Sequence, residues 1–226
     1  MKTSILVALS LVGIASPAWA QSSDWSLSGT AGVVSDYRYR GYSLSGERPA
    51  LQGGLTADHA SGVYGDVFVS TIDEYGIGSD GDGADVEITG TLGWAGQVGG
   101  FDVDVAAAAY RYPDGDDVNY VEFPLQLGRT HGALTWVIGA AFAPAQSALG
   151  DEENRYGWTS LSFAPSSWPV SVTSTVGYED GAFASEGKAD WSVGVARELG
   201  RFRVDLTWVD SDADKGQAVA SIFVNF

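Results

Sequence analysis

The 226-residue chain has no cysteine, so no disulfide holds it together and no lipoprotein anchor can be attached near its N-terminus. Positive charge is scarce. Twelve Lys and Arg stand against 29 Asp and Glu, a formal net charge of −17, which argues against tracking the phosphate backbone of a nucleic acid. Long hydrophobic runs are missing too. A membrane helix needs about 20 apolar residues, and the longest apolar stretch after the first twenty, residues 133–143, covers roughly half of that. Histidine occurs only as His59 and His131, with no metal-spaced pair.

What is present begins with an export signal. Lys2 supplies a positive start, residues 5–15 an apolar centre, and Ala18-Trp19-Ala20 a small-residue cleavage motif. Residues 1–20 are therefore expected to be removed, leaving 21–226 as one domain that starts at Gln21. Glycine is abundant, at 30 residues, and aromatics reach 12%, a composition usual in β-barrels with tight turns and aromatic girdles.

The body divides into about twelve segments of roughly ten residues, the length of a tilted membrane strand. Val86, Ile88, Leu92 and Trp94 alternate with Asp85, Glu87, Thr89 and Thr91; Phe101, Val103 and Val105 alternate with Asp102 and Asp104. Val204, Leu206 and Trp208 likewise alternate with Arg203, Asp205 and Thr207. Period two with charge on one face predicts strands.

A secreted acidic sandwich would also alternate, but its loops would not sort by charge. Here the even-numbered connections, near residues 60–62, 95–100, 129–132, 164–169 and 199–201, are short and free of acid. The odd ones are mostly longer and mostly acidic. They include Glu47; Asp73, Glu74, Asp80 and Asp82; Asp114, Asp116 and Asp117; Asp151, Glu152 and Glu153; Glu179, Asp180 and Glu186; and Asp210, Asp212 and Asp214. Short turns on one side and long loops on the other are the layout of an outer-membrane barrel. The expected fold is thus all-β, a single antiparallel transmembrane β-barrel of about twelve strands, behind a cleaved signal peptide. It is expected in the outer membrane of a Gram-negative bacterium with both termini periplasmic.

The segment Ser35-Asp36-Tyr37-Arg38-Tyr39-Arg40-Gly41-Tyr42-Ser43, with Pro49-Ala50-Leu51-Gln52-Gly53-Gly54 and Ser61-Gly62-Val63-Tyr64 after it, resembles the TorF-type porin family of proteobacteria. That family is otherwise described as of unknown function. The motif covers about residues 29–70, and the remainder matches in strand pattern, length and terminal Phe226. Val67-Phe68-Val69 stands where the family pattern suggests a Trp-containing strand. The resemblance implies an outer-membrane barrel and supplies no substrate.

The terminal strand, with Ile222, Val224 and Phe226 on one face, is expected to serve as the assembly signal for the barrel-insertion machinery. Extending the alternation places Asp58, Asp66, Asp85, Glu87, Asp102, Asp104, Glu122 and Asp205 in the lumen, against Arg38, Arg40 and Arg203. Such a pore would prefer cations or neutral solutes. Arg38 and Arg40 have two readings, pairing with lumen carboxylates and setting the constriction. Tyr37, Tyr39 and Tyr42 are expected in an outer aromatic girdle. Residues 210–216 imitate a calcium loop, but Gly216 falls one position late and Ser221 stands where Glu is needed. No metal or cofactor is expected.

The function expected is a channel for passive diffusion of small solutes, in contact with outer-membrane lipid and lipopolysaccharide. One alternative is a closed barrel acting through its acidic loops. Another is a lipid-active enzyme, but no Gly-x-Ser-x-Gly elbow occurs and both histidines map to turns on the periplasmic side. No catalytic residue is assigned.

Overall fold

The computed structural model describes residues 24–78 and 81–226, so the expected export signal, its cleavage site and Asp80 lie outside the described residues. Twelve strands form one closed antiparallel barrel. They are β1 (Trp25–Val34), β4 (Ala50–His59), β5 (Val63–Tyr75), β6 (Ala84–Val98), β7 (Phe101–Arg111) and β8 (Tyr120–His131), followed by β9 (Leu134–Gln146), β10 (Glu152–Phe163), β11 (Ser171–Gly181), β12 (Ala184–Leu199), β13 (Phe202–Ser211) and β14 (Gln217–Asn225). The remaining two, β2 (Arg38–Tyr39) and β3 (Tyr42–Ser43), pair only with each other. No helix among the described residues is long and apolar enough to cross a membrane.

Polarity is inverted relative to a protein packed for water. Leu92, Leu206, Ile138 and Val176 point outward and are exposed, whereas Glu87, Glu122, Glu179 and Lys188 are buried inside. Hydrocarbon tolerates such a surface, and closure leaves no strand edge unpaired in it. Around Arg155, where the sequence alternation is weak, Tyr156 and Trp158 turn inward and Arg155 and Leu161 outward.

The two ends of the barrel differ. One carries tight turns, such as Gly99–Gly100 between β6 and β7, together with both described termini. An aromatic belt rings this end: Trp25 opens β1, Phe163 closes β10, Phe202 opens β13, and Trp168 and Phe226 are exposed beside them. The other end carries the acidic connections, most of them longer, and one connection that is very short. β11 and β12 are joined by Ala182 and Phe183 alone, so Glu179 and Glu186 lie in strands and not in an acidic loop.

Closure is shortest at the seam between β1 and β14, where five residue pairs run from Thr30↔Asn225 to Val34↔Ser221. Phe226 lengthens the seam by one step. Its N–H donates to the Gly29 carbonyl at 3.0 Å, and its own carbonyl accepts from the Gly29 N–H at 2.8 Å. Ile222 and Phe226 are exposed outward, while Phe223 packs inward. Deleting Phe226 is expected to lower the amount of folded barrel in outer membranes several-fold, measured by immunoblot of fractionated cells; unchanged levels would remove the residue from the assembly signal.

Candidate functional site

The longest connection, from β1 to β4, does not project outward. It turns into the barrel as the β2–β3 hairpin. Tyr39 pairs with Tyr42, which leaves Arg40 and Gly41 as a two-residue turn, and both have positive φ, 48° and 88°. Paired positive φ values are what a twisted hairpin demands. Glycine meets that demand freely, and a Cβ at Gly41 would also press on Ser211. Arginine in the left-handed region costs roughly 1–2 kcal/mol. That cost is tolerable only if its side chain is needed where it is.

The Arg40 guanidinium donates from Nη2 to Glu122 Oε2 on β8 at 2.7 Å and from Nη1 to Glu179 Oε1 on β11 at 2.8 Å. Its carbon lies 4.7 Å from the Tyr39 ring centroid and 4.3 Å from that of Tyr156 on β10, within cation–π range of both. Lys188 Nζ on β12 donates to the Arg40 carbonyl at 2.6 Å and pairs with Glu179 Oε2 at 2.7 Å. Asn154 Nδ2 completes the Glu179 contacts at 3.0 Å. Buried charges of this kind persist only when paired and hydrogen-bonded, so the tip is held by electrostatics.

The base of the hairpin is fixed separately. Asp36, fully buried, accepts from Arg38 Nε and from Ser43 Oγ, each at 2.6 Å. Arg38 Nη1 then donates to the carbonyls of Gly41 and Lys215. On the opposite flank Tyr37 donates its hydroxyl to Glu87 on β6 at 3.0 Å, and the Tyr39 and Tyr110 hydroxyls lie 2.9 Å apart. Burial, and then the charge of Glu87, holds the Tyr37 phenol well above its usual range; burial does the same for Tyr39 against the opposing effect of Arg40. Both phenols therefore keep their protons at neutral pH. Tyr37 and Tyr39 belong to the lumen and not to the expected girdle, because the hairpin folds inward. Tyr42, half-buried, sits with its ring centroid 3.9 Å from Lys188 Nζ.

Around and beyond the hairpin the lumen has two unlike walls. On β4 to β7, Asp58, Asp66, Glu87 and Asp104 make no ion pair among the described residues. Asp66 accepts from Thr56 at 2.8 Å, Asp104 from Tyr64 at 2.9 Å, and Glu87 from Tyr37, Tyr112 and Thr89. The other wall holds the cations Lys188 and Arg203, the latter occupied by Asp205 and Glu198.

Of the residues singled out by sequence, the structure brings Arg40 and Glu122 into one cluster and pairs Arg203 with Asp205. Asp85 stands exposed at the loop-end rim, beside Arg48 and Asp73, and not in the constriction, because β6 begins only one residue before it. Asp102 lies near the turn end, accepting from Gln97 at 2.9 Å. Glu179, Lys188 and Asp190 were not anticipated. Trp191, Val193 and Val195 alternate outward, and carrying that phase back places Asp190 and Lys188 inside. Glu179 carries the same signal, since Val176 and Tyr178 face outward and the phase puts Glu179 inside; the acidic run Glu179-Asp180 made it look like loop. His59 Nδ1 meets Ser61 Oγ at 2.8 Å on the exposed turn end, with the His59 ring centroid 4.8 Å from that of Trp25. No cluster of metal-ligating side chains occurs among the described residues.

The sequence pattern of a bacterial protein family of unknown function, Gcw_chp, matches residues 18–224. No curated protein matches the chain. Among solved structures it is similar to a KdgM porin, with a TM-score of 0.61 at 7% identity over 88% of this chain and 99% of that one. It is similar also to a NanC porin, with a TM-score of 0.54 at 8% identity over 88% of this chain and 98% of that one. At these identities the likeness establishes a porin-like barrel fold.

Proposed function

The chain belongs to the bacterial family of unknown function Gcw_chp, and from that premise we propose that it is a TorF-type porin-like channel of the Gram-negative outer membrane, passing small cations and neutral solutes. In this reading the turn end and both termini of the mature chain face the periplasm, the acidic loop end faces outward, and the outer half of the lumen is narrowed by the β2–β3 hairpin. Outer-membrane lipid and lipopolysaccharide surround the apolar band, and the insertion machinery reads the terminal strand. No catalytic role is assigned.

The observation that carries the reading is the charge of the β4–β7 wall. Four carboxylates there lack ion-pair partners, and such a row draws cations and repels anions. Refolded residues 21–226 in a planar bilayer are expected to give stable steps with a reversal potential of cation-preferring sign in a salt gradient. Asp66→Asn combined with Asp104→Asn should move that potential toward zero, with conductance changing less than selectivity. Anion preference would transfer control to Arg38, Arg40 and Arg203. Folded protein without conductance would favour the closed barrel, a reading supported by the hairpin's span from β6 to β12.

A further inference from the structure

The seat of Arg40 has the parts of a receptor for a cation that happens to be tethered. Two carboxylates grip the guanidinium nitrogens, and its carbon lies over two tyrosine rings. The acids gathered around it, Glu122, Glu179 and Asp190, outnumber the cations Arg40 and Lys188 by one. Asp190 joins the group through Tyr156, whose hydroxyl donates to its Oδ1 at 3.1 Å. Two carboxylate oxygens of this group, Glu122 Oε1 and Asp190 Oδ2, have no hydrogen-bond donor, although both residues are more than nine-tenths buried. The cluster is therefore short of positive charge and of donors, which is costly in a buried site. The planar, five-donor guanidinium fits such acceptors better than a point-charge ammonium does.

Arg40 also occupies the seat under strain. Its left-handed backbone opposes docking, a penalty that a free solute does not share. We infer that this seat is a binding site for small solutes bearing a guanidinium group, with Arg40 as the resident competitor whose displacement releases the hairpin tip. The inference rests on the channel reading for its biological use, but the binding itself does not depend on conduction. A solute engaging Glu122, Glu179 and Tyr156 would leave Arg40 without its partners, and binding would couple to movement of the constriction by mass action.

The test is calorimetric titration of the refolded barrel with L-arginine. L-citrulline, which has nearly the same shape without the charge, is the control, and L-lysine supplies an ammonium. Wild-type protein is expected to bind arginine weakly and citrulline not at all, with lysine in between. Arg40→Ala should bind arginine at least ten-fold more tightly, because the tethered competitor is gone. Glu122→Gln added to Arg40→Ala, where no tethered guanidinium shares the lost contact, should weaken arginine binding at least ten-fold relative to Arg40→Ala. If Arg40→Ala does not refold, Arg40→Gln, which keeps hydrogen-bonding groups at the tip without the charge, serves as the background for the same comparison. Equal affinity for citrulline and arginine, or no change in either variant, would overturn the inference. Bilayer recordings of the same preparations separate the two readings. Binding without conductance sinks the channel and leaves the seat, whereas conductance with no response to either substitution sinks the seat and leaves the channel.

Discussion

Glu179→Ala is expected to free the hairpin tip from the barrel wall. Glu179 is the common acceptor for Arg40, Lys188 and Asn154. Its loss removes the ion pair of Lys188, which is almost wholly buried, and leaves it the Arg40 carbonyl, the Tyr42 ring and the more distant charge of Asp190. Removing one member of a buried ionic group costs about 3–5 kcal/mol, because the partners remain desolvated and unpaired. The cheapest relaxation available to the molecule is to lift the hairpin, which lets Arg40 and Lys188 meet water. Trypsin reports this directly. Arg38 and Arg40 have almost wholly buried side chains in the docked hairpin and should resist cleavage, whereas the variant should be cut there. On the channel reading, conductance should rise several-fold in parallel. A variant with wild-type trypsin resistance and an unchanged Tm would show that the ionic cluster does not hold the hairpin. Combining Glu179→Ala with Glu122→Gln should fall short of the sum of the single effects, since both residues hold the same guanidinium.

Gly32→Val is expected to prevent closure of the barrel. A Cβ at this position would overlap the Ile222 carbonyl oxygen and the Phe223 ring across the seam. A side chain could yield, but the carbonyl belongs to the β1–β14 ladder and cannot move without breaking it. That seam has five residue pairs against ten between β1 and β4, so the strain opens the barrel there. An open seam exposes backbone donors and acceptors to hydrocarbon at several kcal/mol each, roughly. The measurement is the fraction of compact, heat-modifiable protein on a gel after refolding in detergent. Gly90→Val is the matched control, because nothing lies within 4 Å of its added Cβ. The control should refold like wild type while Gly32→Val stays unfolded; equal yields from the two would mean that the close approach at Gly32 is not required.

Barrel class, strand number and polarity follow from local rules that the chain states openly. Residues 85–94 and 202–208 place their apolar atoms on one face by period two alone, and no distant residue is needed to say which face meets lipid. Loop order does the same for the two ends, with the β11–β12 connection as the exception. There the strand runs on in register as far as Glu179↔Lys188, so Glu179 lines the wall although its acidic neighbours made it look like loop.

The hairpin was decided by tertiary structure. Read along the chain, Tyr37, Tyr39 and Tyr42 resemble any interfacial girdle, because tyrosine suits a headgroup and a buried hydrogen bond equally well. What sends them inward is the pairing of Arg40 with residues 82 and 139 positions away, and of Tyr37 with one 50 positions away. Strand periodicity is written into every second residue. A buried charge network exists only once closure has brought β6, β8, β11 and β12 around the same space.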